Sequence, residues 1–149
     1  MKEYYSLDGN WTLQEALGHC DIPAQVPGSV LGDLLTNGLI DDPFYRENEF
    51  TALRLFDRDY TYQRDFSVPP ALLAREQIDL VFQGLDTLAD VTLNGVPVLA
   101  ADNMHRTWRV PVKHLLAPAG NRLVVVFRSP NRFIAAASKA NPDVTYDGT

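Results

Sequence analysis

The stretch Phe82-Gln83-Gly84-Leu85-Asp86-Thr87-Leu88-Ala89-Asp90-Val91-Thr92-Leu93-Asn94-Gly95-Val96-Pro97-Val98-Leu99 decides the fold class. Ile78-Asp79-Leu80-Val81-Phe82 leads into it as a short apolar strand run, stopped by Gly84. Val91-Thr92-Leu93 and Val96-Pro97-Val98-Leu99 are two further runs, separated by Asn94-Gly95. Both central residues of a type I′ turn need positive φ, so Asn-Gly between apolar runs is the strongest short hairpin signal. Pro97 has no N–H for the ladder and places its strand at an edge or a bulge.

The same period continues on either side. Tyr60, Tyr62, Phe66 and Val68 share one parity, and Thr61, Gln63, Asp65 and Ser67 the other, as in a half-buried strand. Arg64 interrupts the apolar row and needs an edge position or a partner. Thr107-Trp108-Arg109-Val110 and Leu123-Val124-Val125-Val126-Phe127 read as strands, with Trp11-Thr12-Leu13-Gln14 as a first one. One helix is expected after Ser29, a natural cap, with Val30, Leu31, Leu34 and Leu35 as its apolar stripe and Asn37-Gly38 as its end. A short turn is expected at Lys113-His114-Leu115-Leu116 and a further helix at 132–139. Many short strands punctuated by Gly, Pro and Asn, with no βαβ alternation, argue for an all-β antiparallel sandwich or barrel.

The chain's 149 residues suffice for one domain with a core. A net charge of -6, with 13 scattered Lys and Arg, argues against a nucleic-acid binder. A single cysteine, Cys20, excludes an intrachain disulfide. Met1-Lys2-Glu3-Tyr4-Tyr5-Ser6 has no apolar region behind it, so it does not read as a signal peptide, and no apolar run has the length of a membrane span. The chain as given reads as cytoplasmic, with a secreted or periplasmic parent if a signal peptide was removed.

Motifs that carry chemistry are scarce. His19, His105 and His114 are not at metal-ligand spacing, and His19-Cys20-Asp21 reads as a polar loop. Phosphate-binding glycine loops and a G-x-S-x-G elbow are absent from the sequence. Asp86 and Asp90 flank a turn and could form an acid–base pair, but the reading preferred here is that they satisfy backbone donors at strand ends. Of the aromatics, Trp11 and Trp108 read as core. Phe44 and Tyr45 lie in the polar run Pro43-Phe44-Tyr45-Arg46-Glu47-Asn48-Glu49, which is either a surface that meets something or a loop folded onto its own core.

In chain order the motifs are Leu7-Asp8-Gly9-Asn10-Trp11, Val26-Pro27-Gly28-Ser29-Val30, Ile40-Asp41-Asp42-Pro43-Phe44-Tyr45, Tyr60-Thr61-Tyr62-Gln63-Arg64-Asp65-Phe66, the 82–95 stretch and Gly120-Asn121-Arg122-Leu123. This pattern resembles the N-terminal sugar-binding (jelly-roll) domain of glycoside hydrolase family 2, and within it the β-mannosidases. The resemblance implies a galactose-binding-domain-like jelly-roll sandwich with one or two short helices over 1–130, and a linker or truncated edge at 131–149. Tyr60 stands where the family commonly has Trp, and Arg46 where it commonly has Gly.

The resemblance also implies what the chain does. It would be the accessory domain of a retaining hydrolase that releases terminal β-D-mannosyl residues. The family's two catalytic glutamates lie on a separate TIM-barrel domain, so this chain supplies no catalytic residue, no metal ligand and no cofactor site. Its implied partners are that barrel, within the same parent chain, and an oligosaccharide; nucleic acid and membrane are not expected. Family loops that reach the active-site mouth point to Tyr45, Asn48 and Glu49 as substrate-side contacts. The alternatives are another family 2 specificity (β-galactosidase or β-glucuronidase), a stand-alone carbohydrate-binding module, and a structural interaction domain without sugar contact.

Overall fold

The computed structural model describes residues 2–15, 21–40 and 57–131. Among the described residues eight strands form two antiparallel sheets: β1 (Gly9–Glu15), β2 (Ile22–Val26), β3 (Tyr60–Phe66), β4 (Asp79–Gln83), β5 (Ala89–Leu93), β6 (Val96–Ala101), β7 (Thr107–Pro111) and β8 (Asn121–Phe127). The large sheet has six strands in the order β2-β1-β3-β8-β5-β6, and the small sheet pairs β4 with β7. Two short helices, α1 (Val30–Thr36) and α2 (Pro70–Leu73), and a 3-10 turn at Lys113–Leu115 complete the described residues. The all-β antiparallel expectation holds, and the expected helix at 132–139 lies outside the described residues, as does the 131–149 linker apart from Asn131.

Alternation builds the core. The register sets Leu13 beside Tyr62, Tyr62 beside Val125 and Val125 beside Val91, so one apolar row crosses four strands. Leu93 faces Leu123 one step along. Leu13, Leu93 and Leu123 are at most 1% exposed, and burying each such side chain contributes about 1.5–3 kcal/mol. The Tyr62 and Phe127 rings meet edge to face at 5.7 Å. From the small sheet, Leu80, Phe82, Trp108 and Val110 pack against this core while remaining half-buried. Trp108 is therefore at the margin of the core, its ring under the Arg106 guanidinium at 4.3 Å. Tyr60 is buried in the core.

The local rules are visible in the ends of the elements. Ser29 Oγ accepts a 3.0 Å hydrogen bond from the Gly32 amide and caps α1. The helix closes in a Schellman turn: Leu39 N–H donates to the Leu34 carbonyl, Gly38 N–H to that of Leu35, and Gly38 has φ 69°. Asn94 and Gly95 have φ of 50° and 80°, the type I′ geometry that their hairpin requires. Pro23 and Pro97 sit on β2 and β6, the two outer strands of the large sheet, where a missing donor costs no ladder bond.

Candidate functional site

Tyr45, Asn48 and Glu49 lie outside the described residues, as do Phe44, His19 and Cys20. What the described residues offer instead is a cleft of about 1620 Å³ between the sheets. Its walls are apolar, including Trp11, Tyr62, Phe82, Leu93, Val125 and Phe127, and charged groups stand at its rim. Glu3 is bridged to Arg75 at 3.1 Å, and Asp79 to Arg109 at 3.5 Å.

Two polar constructions hold the walls. The first is buried beneath α1. Tyr62 donates its hydroxyl hydrogen to Asp33 Oδ2 at 2.6 Å, and the Gln25 amide donates to Asp33 Oδ1 at 3.0 Å. One carboxylate thus joins helix, edge strand and central strand. Burial first, and then the hydrogen bond to Asp33, keep the Tyr62 phenol protonated far above the usual tyrosine range. Asn37 closes the same joint, its side-chain amide donating to the carbonyls of Pro23 and Asp33.

The second construction is at the Asn94-Gly95 hairpin. Asn121 is fully buried; its Oδ1 accepts from the Ala117 amide at 2.8 Å and from Asn94 Nδ2 at 3.0 Å. Its Nδ2 donates to the carbonyls of Ala117 and Phe66 at 2.7 and 3.2 Å. Asn94 donates further to the Leu115 carbonyl and accepts from the Arg122 amide. Arg64, which interrupts the apolar row of β3, has its partners in the carbonyls of Leu7 and Asp8, at 2.6 and 2.7 Å. The Trp11 indole N–H reaches the Leu7 carbonyl as well, so the segment before β1 is fixed by two side chains.

None of this makes an acid–base pair. Alternation along β5 turns Asp90 away from the buried Ala89 and Val91, and its carboxylate meets Arg128 at 3.0 Å. Asp86 lines the cleft and bonds the Thr87 hydroxyl. The expectation that both would satisfy backbone donors at strand ends is corrected in that detail: the partners are side chains, Arg128 for Asp90 and Thr87 for Asp86. Asp65 is moved below the usual carboxylate range by its hydrogen bond to Arg122, opposite to what a general acid needs. Among the described residues no three His, Cys, Asp or Glu groups are placed to hold a metal ion, and no helix is long and apolar enough to cross a membrane.

Sequence reasoning missed Asp33, whose signal was a single acid inside the apolar stripe Val30-Leu31-Leu34. It also did not find a role for Asn121, although Gly120-Asn121-Arg122-Leu123 stood among the motifs.

The profile of the glycosyl hydrolase 2 galactose-binding domain-like family matches residues 11–148. The chain is 33% identical to a β-mannosidase of Mus musculus over 137 residues, 92% of this chain and 16% of that protein. It superposes on the crystal structure of a β-D-mannosidase from Dictyoglomus thermophilum with a TM-score of 0.88 at 37% identity, covering 91% of this chain and 17% of the other. A β-D-glucuronidase from the same organism has a TM-score of 0.60 at 17% identity, over 83% of this chain and 19% of that one, and shares the fold. The chain thus spans about one sixth of the length of the mannosidases it matches. The fold, the hairpin held by Asn94 and Asn121 and the profile match together place this chain in the glycosyl hydrolase 2 galactose-binding domain-like family.

Proposed function

We propose that the chain is the N-terminal accessory domain of a retaining β-mannosidase-like hydrolase that releases terminal β-D-mannosyl residues from oligosaccharides. The observation that carries this reading is the combination of 37% identity and a TM-score of 0.88 to a β-D-mannosidase. The glucuronidase likeness is confined to the fold. Catalysis is assigned to two glutamates on a separate barrel domain of the parent. The role of this domain is to pack on that barrel and wall part of its site. Tyr45, Asn48 and Glu49 are assigned to the substrate side on the family resemblance alone.

The test is a comparison of 4-nitrophenyl β-D-mannoside, β-D-galactoside and β-D-glucuronide as substrates of the full-length protein. Preference for the mannoside is expected, with no turnover by the 149-residue chain alone. Preference for either other sugar overturns the assignment. Tyr45→Ala in the full-length protein is expected to raise KM for the mannoside with folding unchanged; an unaltered KM removes Tyr45 from the substrate side. Titration of the 149-residue chain with mannose and short β-mannosides separates this reading from a stand-alone module, which would bind saturably at millimolar sugar.

A further inference from the structure

We propose that Asn37, at the C-terminal end of α1, is a deamidation site whose conversion releases α1 from the sheet irreversibly. Three observations meet there. The first is the dipeptide: Asn37 is followed by Gly38, the residue that least hinders attack of its own nitrogen on a preceding side chain. In the reaction the Gly38 nitrogen loses its proton and bonds to Asn37 Cγ, and the Cγ–Nδ2 bond breaks to release ammonia. Water then opens the five-membered imide at either carbonyl and leaves Asp or isoaspartate. Water is the sole co-reactant.

The second is that the docked helix engages both reacting groups. Asn37 Nδ2 donates to the Pro23 carbonyl at 2.9 Å and to the Asp33 carbonyl at 2.8 Å. The Gly38 N–H donates to the Leu35 carbonyl at 3.0 Å. Reaction therefore requires α1 to open. A helix of seven residues has little stability of its own, and Asp33 and Leu34 are the residues it buries. Its opening costs less free energy than unfolding of the six-stranded sheet.

The third is that the product does not fit the site it leaves. A carboxylate has no hydrogen to donate, and at this position it sets its oxygens against the carbonyl oxygens of Pro23 and Asp33. Its charge falls at the negative end of the helix, one turn from the Asp33 carboxylate, and α1 has no basic residue in its last turn to offset it. Isoaspartate adds a methylene to the main chain between residues 37 and 38. There the Gly38-to-Leu35 and Leu39-to-Leu34 bonds and the Gly38 φ of 69° close the helix. The docked helix thus prevents the reaction, and the reaction prevents redocking.

Peptide mapping of the full-length protein after incubation at mildly alkaline pH tests this, with electron-transfer fragmentation to tell isoaspartate from Asp. Wild-type Asn37 is expected to convert far more slowly than in a synthetic peptide of residues 30–40. Ser29→Ala, which uncaps α1, is expected to speed conversion about fivefold, and Tyr62→Phe, which removes the bond to Asp33, about thirtyfold. Gly95→Ala costs about as much stability as Ser29→Ala, but at the β5–β6 hairpin, and is expected to leave the rate at Asn37 unchanged. Wild-type conversion as fast as in the peptide overturns the proposal. So does equal acceleration by Gly95→Ala, which would mean that the whole domain has to unfold, or no acceleration by Ser29→Ala and Tyr62→Phe. Asn37→Asp supplies the product directly. In hydrogen exchange its Gly38 and Leu39 amides are expected to exchange at least about tenfold faster than in wild type, with the amides of β3 and β8 unchanged. Wild-type exchange at those two amides shows that the product redocks, and sinks the proposal.

Discussion

Tyr62→Phe removes one hydroxyl from the buried joint under α1 and changes nothing else in shape. The lost bond is the 2.6 Å hydrogen bond to the Asp33 carboxylate, which keeps only the Gln25 amide on its other oxygen. A hydrogen bond to a charged group contributes about 1.5–3 kcal/mol, so a loss of about 2 kcal/mol is expected at pH 7. The pH dependence supplies a second, sharper signature. The folded-state pKa of Tyr62 is raised, so between about pH 10 and that raised value the unfolded chain gives up a proton that the folded chain keeps. Stability then falls as pH rises, by about 1.4 kcal/mol per unit above pH 10. The other five of the six tyrosines are common to both proteins and cancel in the difference. The gap between wild type and Tyr62→Phe should therefore stay near 2 kcal/mol up to about pH 10, and close by about pH 11.5. Urea unfolding followed by tryptophan fluorescence at several pH values measures it. A gap that is constant through pH 11, or absent at pH 7, refutes the buried Tyr62–Asp33 bond.

Other substitutions address other joints. Asn121→Ala leaves the Ala117 amide and the carbonyls of Ala117 and Phe66 without their partner; a loss of about 3–5 kcal/mol is expected, seen as a lower urea midpoint at unchanged slope. Ser29→Ala removes the cap of α1 and should cost about 1 kcal/mol, whereas Ser29→Asp should restore most of it in the same titration. Gly95→Ala places a Cβ at φ 80° with nothing within 4 Å of it. Its expected cost of about 1 kcal/mol is thus backbone strain alone, and Gly95→Asn should cost less.

Much of the fold was legible because strand period and turn chemistry are local. Asn94-Gly95 announced its hairpin, and Pro97 its edge. Seven of the strands and α1 follow the runs read from the sequence. β2 was missed because Pro23 interrupts Asp21-Ile22-Pro23-Ala24-Gln25-Val26; that proline is tolerated only because β2 is an edge, a fact of topology and not of sequence. α2 was missed because a four-residue helix entered through Pro69-Pro70 has too few residues for a period. The functional groups were less legible. Asp33 and Asn121 become intelligible only when residues 29 and 55 positions away bring Tyr62 and Phe66 to them. The substrate-side residues Tyr45, Asn48 and Glu49 rested on resemblance, and the described residues do not include them.

The Asn94 network also bears on chemical ageing. Asn-Gly is the dipeptide most prone to deamidation, since an unhindered glycine nitrogen can attack the neighbouring side-chain carbonyl carbon and form a succinimide. Here the Asn94 amide is held by the Leu115 carbonyl, the Asn121 side chain and the Arg122 amide, and cannot swing toward Gly95 without releasing all three. The clasp that sets the hairpin thereby protects it from its own sequence. Mass spectrometry after prolonged alkaline incubation should find Asn94 intact in the folded protein and converted in Asn121→Ala; equal conversion in both would show that the clasp gives no protection.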